Sequence, residues 1–145
     1  LLSLPDEMRY QKIAFLGQSD QLINISIREF LSLGLVNVPD VQLKSVLAAV
    51  GLKKALEDTP ENLEYMLGVR GNRISGGQAR RLQLACLLLR EPSLVLLDEP
   101  FRGLERPLVQ SIIKNMTPWM ANKGVIFVTH DPDAMPSHWP KTRWP

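Results

Sequence analysis

Four polar side chains in this 145-residue chain stand just behind short apolar runs: Gln18 after Leu16, Asp98 and Glu99 after Leu97, and His130 after Thr129. In parallel α/β sheets, ligands bind beyond the carboxyl ends of the strands, so the four can converge on one site. Each alone has an ordinary reading. A Gln after a strand is usually a loop residue, an Asp-Glu pair is usually solvated, and a lone His is more often a satisfied surface or core residue. Their recurrence at three strand ends is what points to chemistry. A second candidate is Ile74-Ser75-Gly76-Gly77-Gln78. Adjacent glycines at a helix start admit a ligand to the backbone without obstruction by Cβ. The exposed N–H groups and positive helix end form an anion site there, with Ser75 and Gln78 able to add hydrogen bonds. The ordinary alternative is a helix entry that needs Gly only for a tight approach.

The elements that position these residues follow from apolar patterning. Residues 12–16, 94–97 and 124–129 are brief apolar runs that do not alternate, the pattern of a parallel sheet covered on both faces. Helices are predicted over 26–33 and over 40–50, the latter stopped by Gly51. Thr59-Pro60-Glu61 reads as a cap, a first-turn Pro and a favourable acid opening a short helix to about Leu67. The strongest helix spans 76–90, with Ser75 as N-cap and Arg90 suiting the negative end of the dipole. Its apolar residues nearly encircle the axis, so it is expected to be buried. A helix over 107–121 is expected to be kinked or shortened by Pro118. Alternating strands and helices imply an α/β fold. Beyond Asp133 the Pro- and Trp-containing sequence reads as an irregular, frayed tail rather than a docking peptide.

Composition sets the outer limits. With 45% hydrophobic and 22% charged residues and a net charge of +2, the chain is ordinary for a globular domain and lacks the basic field of most nucleic-acid binders. The single Cys86 cannot form an internal disulfide. No apolar run approaches the ~20 residues needed to span a bilayer. The start at Leu1-Leu2-Ser3-Leu4-Pro5-Asp6 has no initiator Met and no signal-peptide pattern, and reads as a start inside a longer chain.

These motifs resemble those of the ATP-binding cassette ATPases. Ile74-Ser75-Gly76-Gly77-Gln78 is similar to their signature motif, and Leu94-Val95-Leu96-Leu97-Asp98-Glu99-Pro100 to their Walker B strand with the following catalytic Glu. Val128-Thr129-His130-Asp131 resembles the switch histidine segment, and Gln18 followed by Leu22, Ile27 and Glu29 the Q-loop. The likeness runs from about Lys12 to Asp133 in matching order. It implies an incomplete P-loop NTPase-type parallel sheet core with an inserted all-helical signature subdomain. The segments would be a Q-loop region at about 12–25, a helical subdomain at about 26–90, Walker B to switch histidine at about 91–133, and the tail at 134–145.

The resemblance also implies roles. Asp98 and Gln18 would serve the Mg²⁺ ion, Glu99 the attacking water, and His130 the γ-phosphate, with Gln18 signalling occupancy to a transmembrane partner. Ser75, Gly76, Gly77 and Gln78 would close over ATP held by a second cassette in a head-to-tail dimer. The implied place is cytoplasmic, peripheral at the inner face of the cell membrane, with no nucleic acid expected. Two departures stand out. The phosphate-holding G-x-x-x-x-G-K-S/T loop is absent, so little or no ATP hydrolysis is expected of this chain alone. Where the family has a Ser-Ala-Leu-Asp-like D-loop, this chain reads Phe101-Arg102-Gly103-Leu104-Glu105. Two other readings compete: a non-catalytic or decayed cassette acting only as an interaction module, and an ATPase head of the DNA-repair or chromosome-maintenance type. The second lacks its expected coiled-coil heptads and basic stripe.

Overall fold

The computed structural model describes residues 12–19, 22–54, 59 and 61–142. The expectations for Leu1 to Asp6, Pro60, Trp144 and Pro145 lie outside the described residues. Three strands form one parallel sheet in the order β1 (Ile13–Leu16), β2 (Leu94–Asp98), β3 (Gly124–Val128). Ala14, Val95 and Val125 stand in register, as do Leu16, Leu97 and Phe127. That register brings the carboxyl ends of all three strands to one edge, where the polar residues follow.

The long connection from β1 to β2 carries α1 (Ile27–Leu31), α2 (Asp40–Ala49) and α3 (Gly76–Leu88), and β2 leads to β3 through α4 (Arg106–Met120). One buried cluster runs through both parts of the molecule, joining Leu31, Leu43, Leu47, Leu82 and Leu84 to Val95, Leu97, Ile112 and Met116. Fully burying such side chains contributes ~1.5–3 kcal/mol each, against the entropy of ordering the chain.

Four expectations need correcting. The sheet is covered on one face only among the described residues. Ala14, Leu16, Val95 and Leu97 are buried, whereas Phe15, Ile126 and Val128 on the opposite face are 65%, 53% and 52% exposed. Unbroken apolar runs report that both faces want cover, not that the described residues supply it. The helix expected from Thr59 contracts to a 3-10 turn at Asn62–Glu64. Beyond it the backbone pairs instead with the start of α1, Ile27 N donating to Tyr65 O and Leu67 N to Ile25 O. Pro118 lies inside α4, which runs from Arg106 to Met120 and so starts and ends one residue before the expected bounds. The described part of the tail, to residue 142, is irregular but packed rather than frayed: Trp139 lies 5.1 Å from Phe127, which stacks at 6.1 Å on Phe101.

Short α1 is held from outside as well as by its own cap. Ser26 accepts from Glu29 N while Glu29 accepts from Ser26 N, a reciprocal capping box. Arg28 bridges Asp40 at 2.5 Å and Glu64 at 2.6 Å, tying α1 to α2 and to the 3-10 turn. The Arg28 hydrogen bond holds the Asp40 carboxyl below the usual carboxylate range, and the Ser26 N–H and hydroxyl do the same for Glu29. A depressed carboxylate adds stability that is complete above its unfolded pKa and is lost as pH falls through the folded value. Asp40→Asn is therefore expected to lower Tm slightly at pH 7, with the gap to wild type closing as the solution is acidified below the carboxylate range. The effect is small, because solvent screens exposed ion pairs. Thermal melts across pH read it, and a gap constant with pH would contradict it.

Candidate functional site

The strand edge assembles two side-chain pairs. Gln18, two residues past β1, donates from Nε2 to Asp98 Oδ2 at 3.0 Å. Asp98 is the last residue of β2, and Glu99 leaves the sheet with φ of 47°, a left-handed conformation that a non-glycine residue adopts only at a cost. Glu99 N nonetheless donates to Val128 O at 2.8 Å, so the turned residue stays stitched to β3. Its side chain is only 14% exposed and folds toward the end of that strand. There Oε1 accepts from His130 N at 2.7 Å and lies 2.7 Å from His130 Nδ1, while Thr129 Oγ1 donates to Oε2 at 3.4 Å. The His130 side chain is 77% exposed, with its ring available to a ligand on the solvent side.

The four residues expected to converge thus meet as two side-chain pairs, Gln18 with Asp98 and Glu99 with His130, at the carboxyl ends of the strands. Ser75, Gly76, Gly77 and Gln78 are elsewhere, at the N-terminus of α3. No hydrogen bond or ion pair among the described residues links these four to the strand-edge four. Ser75 and Gln78 are occupied with each other: Ser75 Oγ accepts from Gln78 N and Gln78 Oε1 accepts from Ser75 N. Ala79 N donates to Ser75 O at 2.8 Å. Of the first-turn N–H groups, those of Gly76 and Gly77 are left without a partner among the described residues. A Cβ at Gly76 would meet nothing within 4 Å, so no internal packing requires glycine there. A Cβ at Gly77 would come within 3.3 Å of Leu104 Cδ2, which sets α3 against the turn that follows β2.

The donors present suit Mg²⁺. Asp98 offers a carboxylate and Gln18 an amide oxygen, both hard ligands, and Mg²⁺ commonly takes one or two carboxylates with water and phosphate completing its octahedron. No group of three or more His, Cys, Asp and Glu among the described residues could hold a metal unaided. Phosphate oxygens would have to supply the rest.

Two features lie outside the residues expected to form the site. Thr129 supports Glu99, although it was counted only as a strand residue. Arg80 is 2% exposed in the middle of the site's framework. Its position could have been noticed, because it falls four and seven residues before Leu84 and Leu87 on one buried stripe of α3. At the far end of α3, Arg90 performs the expected electrostatic role more specifically, donating from Nη1 to Cys86 O at 2.7 Å.

A sequence profile of the family described as "ABC transporter" matches residues 4–102. The glutathione/L-cysteine transport system ATP-binding/permease protein CydC of Escherichia coli (strain K12) is 37% identical over 130 residues, 90% of this chain and 22% of that protein. The mitochondrial iron-sulfur clusters transporter ATM1 of Debaryomyces hansenii is 30% identical over 79% of this chain and 16% of its own length. The chain therefore spans about a fifth of the relatives it matches. The structure of a bacterial Atm1-family ABC exporter with ATP bound superposes with a TM-score of 0.77 over 83% of this chain and 21% of that one, at 21% identity. This likeness identifies the α/β fold as that of the P-loop NTPase-type cassette core.

Proposed function

The chain belongs to the ABC transporter family, and from that premise we propose that it supplies the signature and hydrolytic portion of a cassette that couples MgATP hydrolysis to transport across a membrane. The observation that carries the reading is the pairing at the strand edge, Gln18 with Asp98 and Glu99 with His130.

Each residue then has a task that its position allows. Asp98 and Gln18 would hold Mg²⁺ through a carboxylate and an amide oxygen, and the ion would supply positive charge against that developing on the transferring phosphoryl group. Glu99, with one carboxylate oxygen held by His130 N, orients the attacking water and draws its proton. The water oxygen bonds to the γ-phosphorus as the bridging oxygen leaves with ADP. The exposed His130 ring, with Nδ1 against Glu99, would donate from Nε2 toward the γ-phosphate when both ring nitrogens carry protons, as negative charge spreads over the phosphate oxygens in a loose transition state. The paired open N–H groups of Gly76 and Gly77 act on the nucleotide of a second cassette in a head-to-tail dimer, where the positive helix end favours phosphate. Membrane association would come through a permease portion of the kind that the ATP-binding/permease relatives are named for. No helix among the described residues is long and apolar enough to cross a membrane.

The chain contains no G-x-x-x-x-G-K-S/T sequence, so nothing in it cradles the β- and γ-phosphates through backbone amides and a lysine. The 145-residue polypeptide alone is expected to release no phosphate from MgATP above background. The full protein carrying it is expected to do so in a Glu99-dependent manner. A malachite-green assay of both reads the difference, and Glu99-dependent release by the polypeptide alone would overturn this division of labour.

A further inference from the structure

Arg80 sits on α3, five residues beyond Ser75, and is almost completely buried. Its guanidinium has five N–H donors, and five acceptors meet them. Nε donates to Pro100 O at 3.2 Å; Nη1 to Gly17 O at 2.6 Å and Gln83 Oε1 at 3.2 Å; Nη2 to Asp98 O at 2.5 Å and Glu99 O at 2.7 Å. Four of these acceptors are backbone carbonyls in the turns that leave β1 and β2. Gly17 immediately precedes Gln18, while Asp98 and Glu99 are themselves site residues. The carbonyls at both ends of the Glu99 residue, whose φ is 47°, therefore point at one cation.

We propose that Arg80 is the positioning residue of the hydrolytic site, clamping the turns that carry Gln18, Asp98 and Glu99 to the helix whose first turn presents Gly76 and Gly77. The proposal rests on the reading of the site as a MgATP hydrolase. A left-handed Glu99 persists only where its surroundings over-determine it. Arg80 holds the backbone from the α3 side while His130 and Thr129 hold the side chain from the β3 side. A planar fork is suited to this, since its donors point in fixed directions and are charged, which strengthens each bond in a buried setting. The same clamp makes the signature helix and the Glu99 peptide one mechanical unit. When the N-terminus of α3 is drawn toward an opposing nucleotide, the Asp98–Glu99–Pro100 backbone and Gly17 move with it. Gln83, one turn along α3, extends the tie by donating to Ser19 O at 2.8 Å.

The test uses the full natural protein and compares Arg80→Ala and Arg80→Lys with Leu84→Ala, a buried neighbour on the same stripe with no polar contact to the site. For Arg80→Ala, kcat per folded molecule is expected to fall about 10²-fold, with KM for ATP within about twofold, because a small misplacement of a reacting group costs on that scale. Arg80→Lys is expected to recover only part of the loss, since one ammonium cannot reach carbonyls spread over both turns. Added guanidinium at non-denaturing concentration should raise turnover of Arg80→Ala alone. Leu84→Ala should melt at lower temperature but keep kcat per folded molecule. The proposal is overturned if Arg80→Ala or Arg80→Lys keeps wild-type kcat per folded molecule, or if guanidinium has no effect on Arg80→Ala. Wild-type protein that hydrolyses no ATP would instead overturn the reading of the site, and this proposal with it.

Discussion

Glu99→Gln is expected to lower ATP turnover by the full protein about 10²–10⁴-fold, the usual contribution of a general base, while leaving the affinity for MgATP largely intact. Gln is nearly isosteric with Glu. Its amide oxygen can still accept from His130 N at the position of Oε1, and the tie from Glu99 N to Val128 O involves only backbone. What is lost is the negative charge and the ability to take a proton from water. A fall in KM or tighter retention of ATP would accompany the lost turnover if hydrolysis normally ends the closed state. Phosphate release and bound-nucleotide counts on the same sample separate the two effects. Equal turnover in wild type and variant would remove Glu99 from the chemistry.

Gly76→Asp should abolish most turnover by a different route, with a loss of ~10²-fold or more. The new side chain enters open space, since nothing lies within 4 Å of the Cβ position. An acid in the first turn of a helix is favourable, by ~0.3–1 kcal/mol, so the variant should melt no lower than wild type. Toward an incoming phosphate, however, a carboxylate beside the open N–H groups of Gly76 and Gly77 opposes like charge with like charge, which costs several kcal/mol at an interface. Stability and activity thus move in opposite directions. If Gly76→Asp hydrolyses ATP normally, the first turn of α3 is not approached by phosphate. If it unfolds, the open geometry at Gly76 is wrong.

Much of this was legible because local patterns and tertiary demands agree. The three strands lie within one residue of the apolar runs at every end, and Thr129, the residue by which β3 falls short, supports Glu99. Ser75 is read as the N-cap, and α3 begins directly after it, with Gln78 closing a reciprocal capping box in the structure. Residues 59–67 failed because backbone pairing of Tyr65 and Leu67 with the α1 entry competes with helix continuation, and no local signal reports that partner. The left-handed Glu99 is invisible for a related reason: its conformation is imposed by Arg80, His130 and Thr129, which come from two other segments. Arg80 is of a residue type that is mostly exposed. Only its place on a buried stripe, together with carbonyls freed by two strand-end turns, makes burial tolerable. Trp139 likewise has no periodic context; its place follows from Phe127 and Phe101 at the sheet edge.

In the proposed assembly, Gln18, Asp98, Glu99 and His130 form one face of a MgATP site and the α3 N-terminus of a second copy forms another. A cryo-EM map of the full protein carrying Glu99→Gln, prepared with MgATP, tests it most directly. The expected map has the metal beside Asp98 and Gln18, the γ-phosphate between position 99 and His130, and the Gly76–Gly77 backbone of the opposing copy on the same nucleotide. Nucleotide bound away from these four residues, or bound with both α3 N-termini facing solvent, would contradict it.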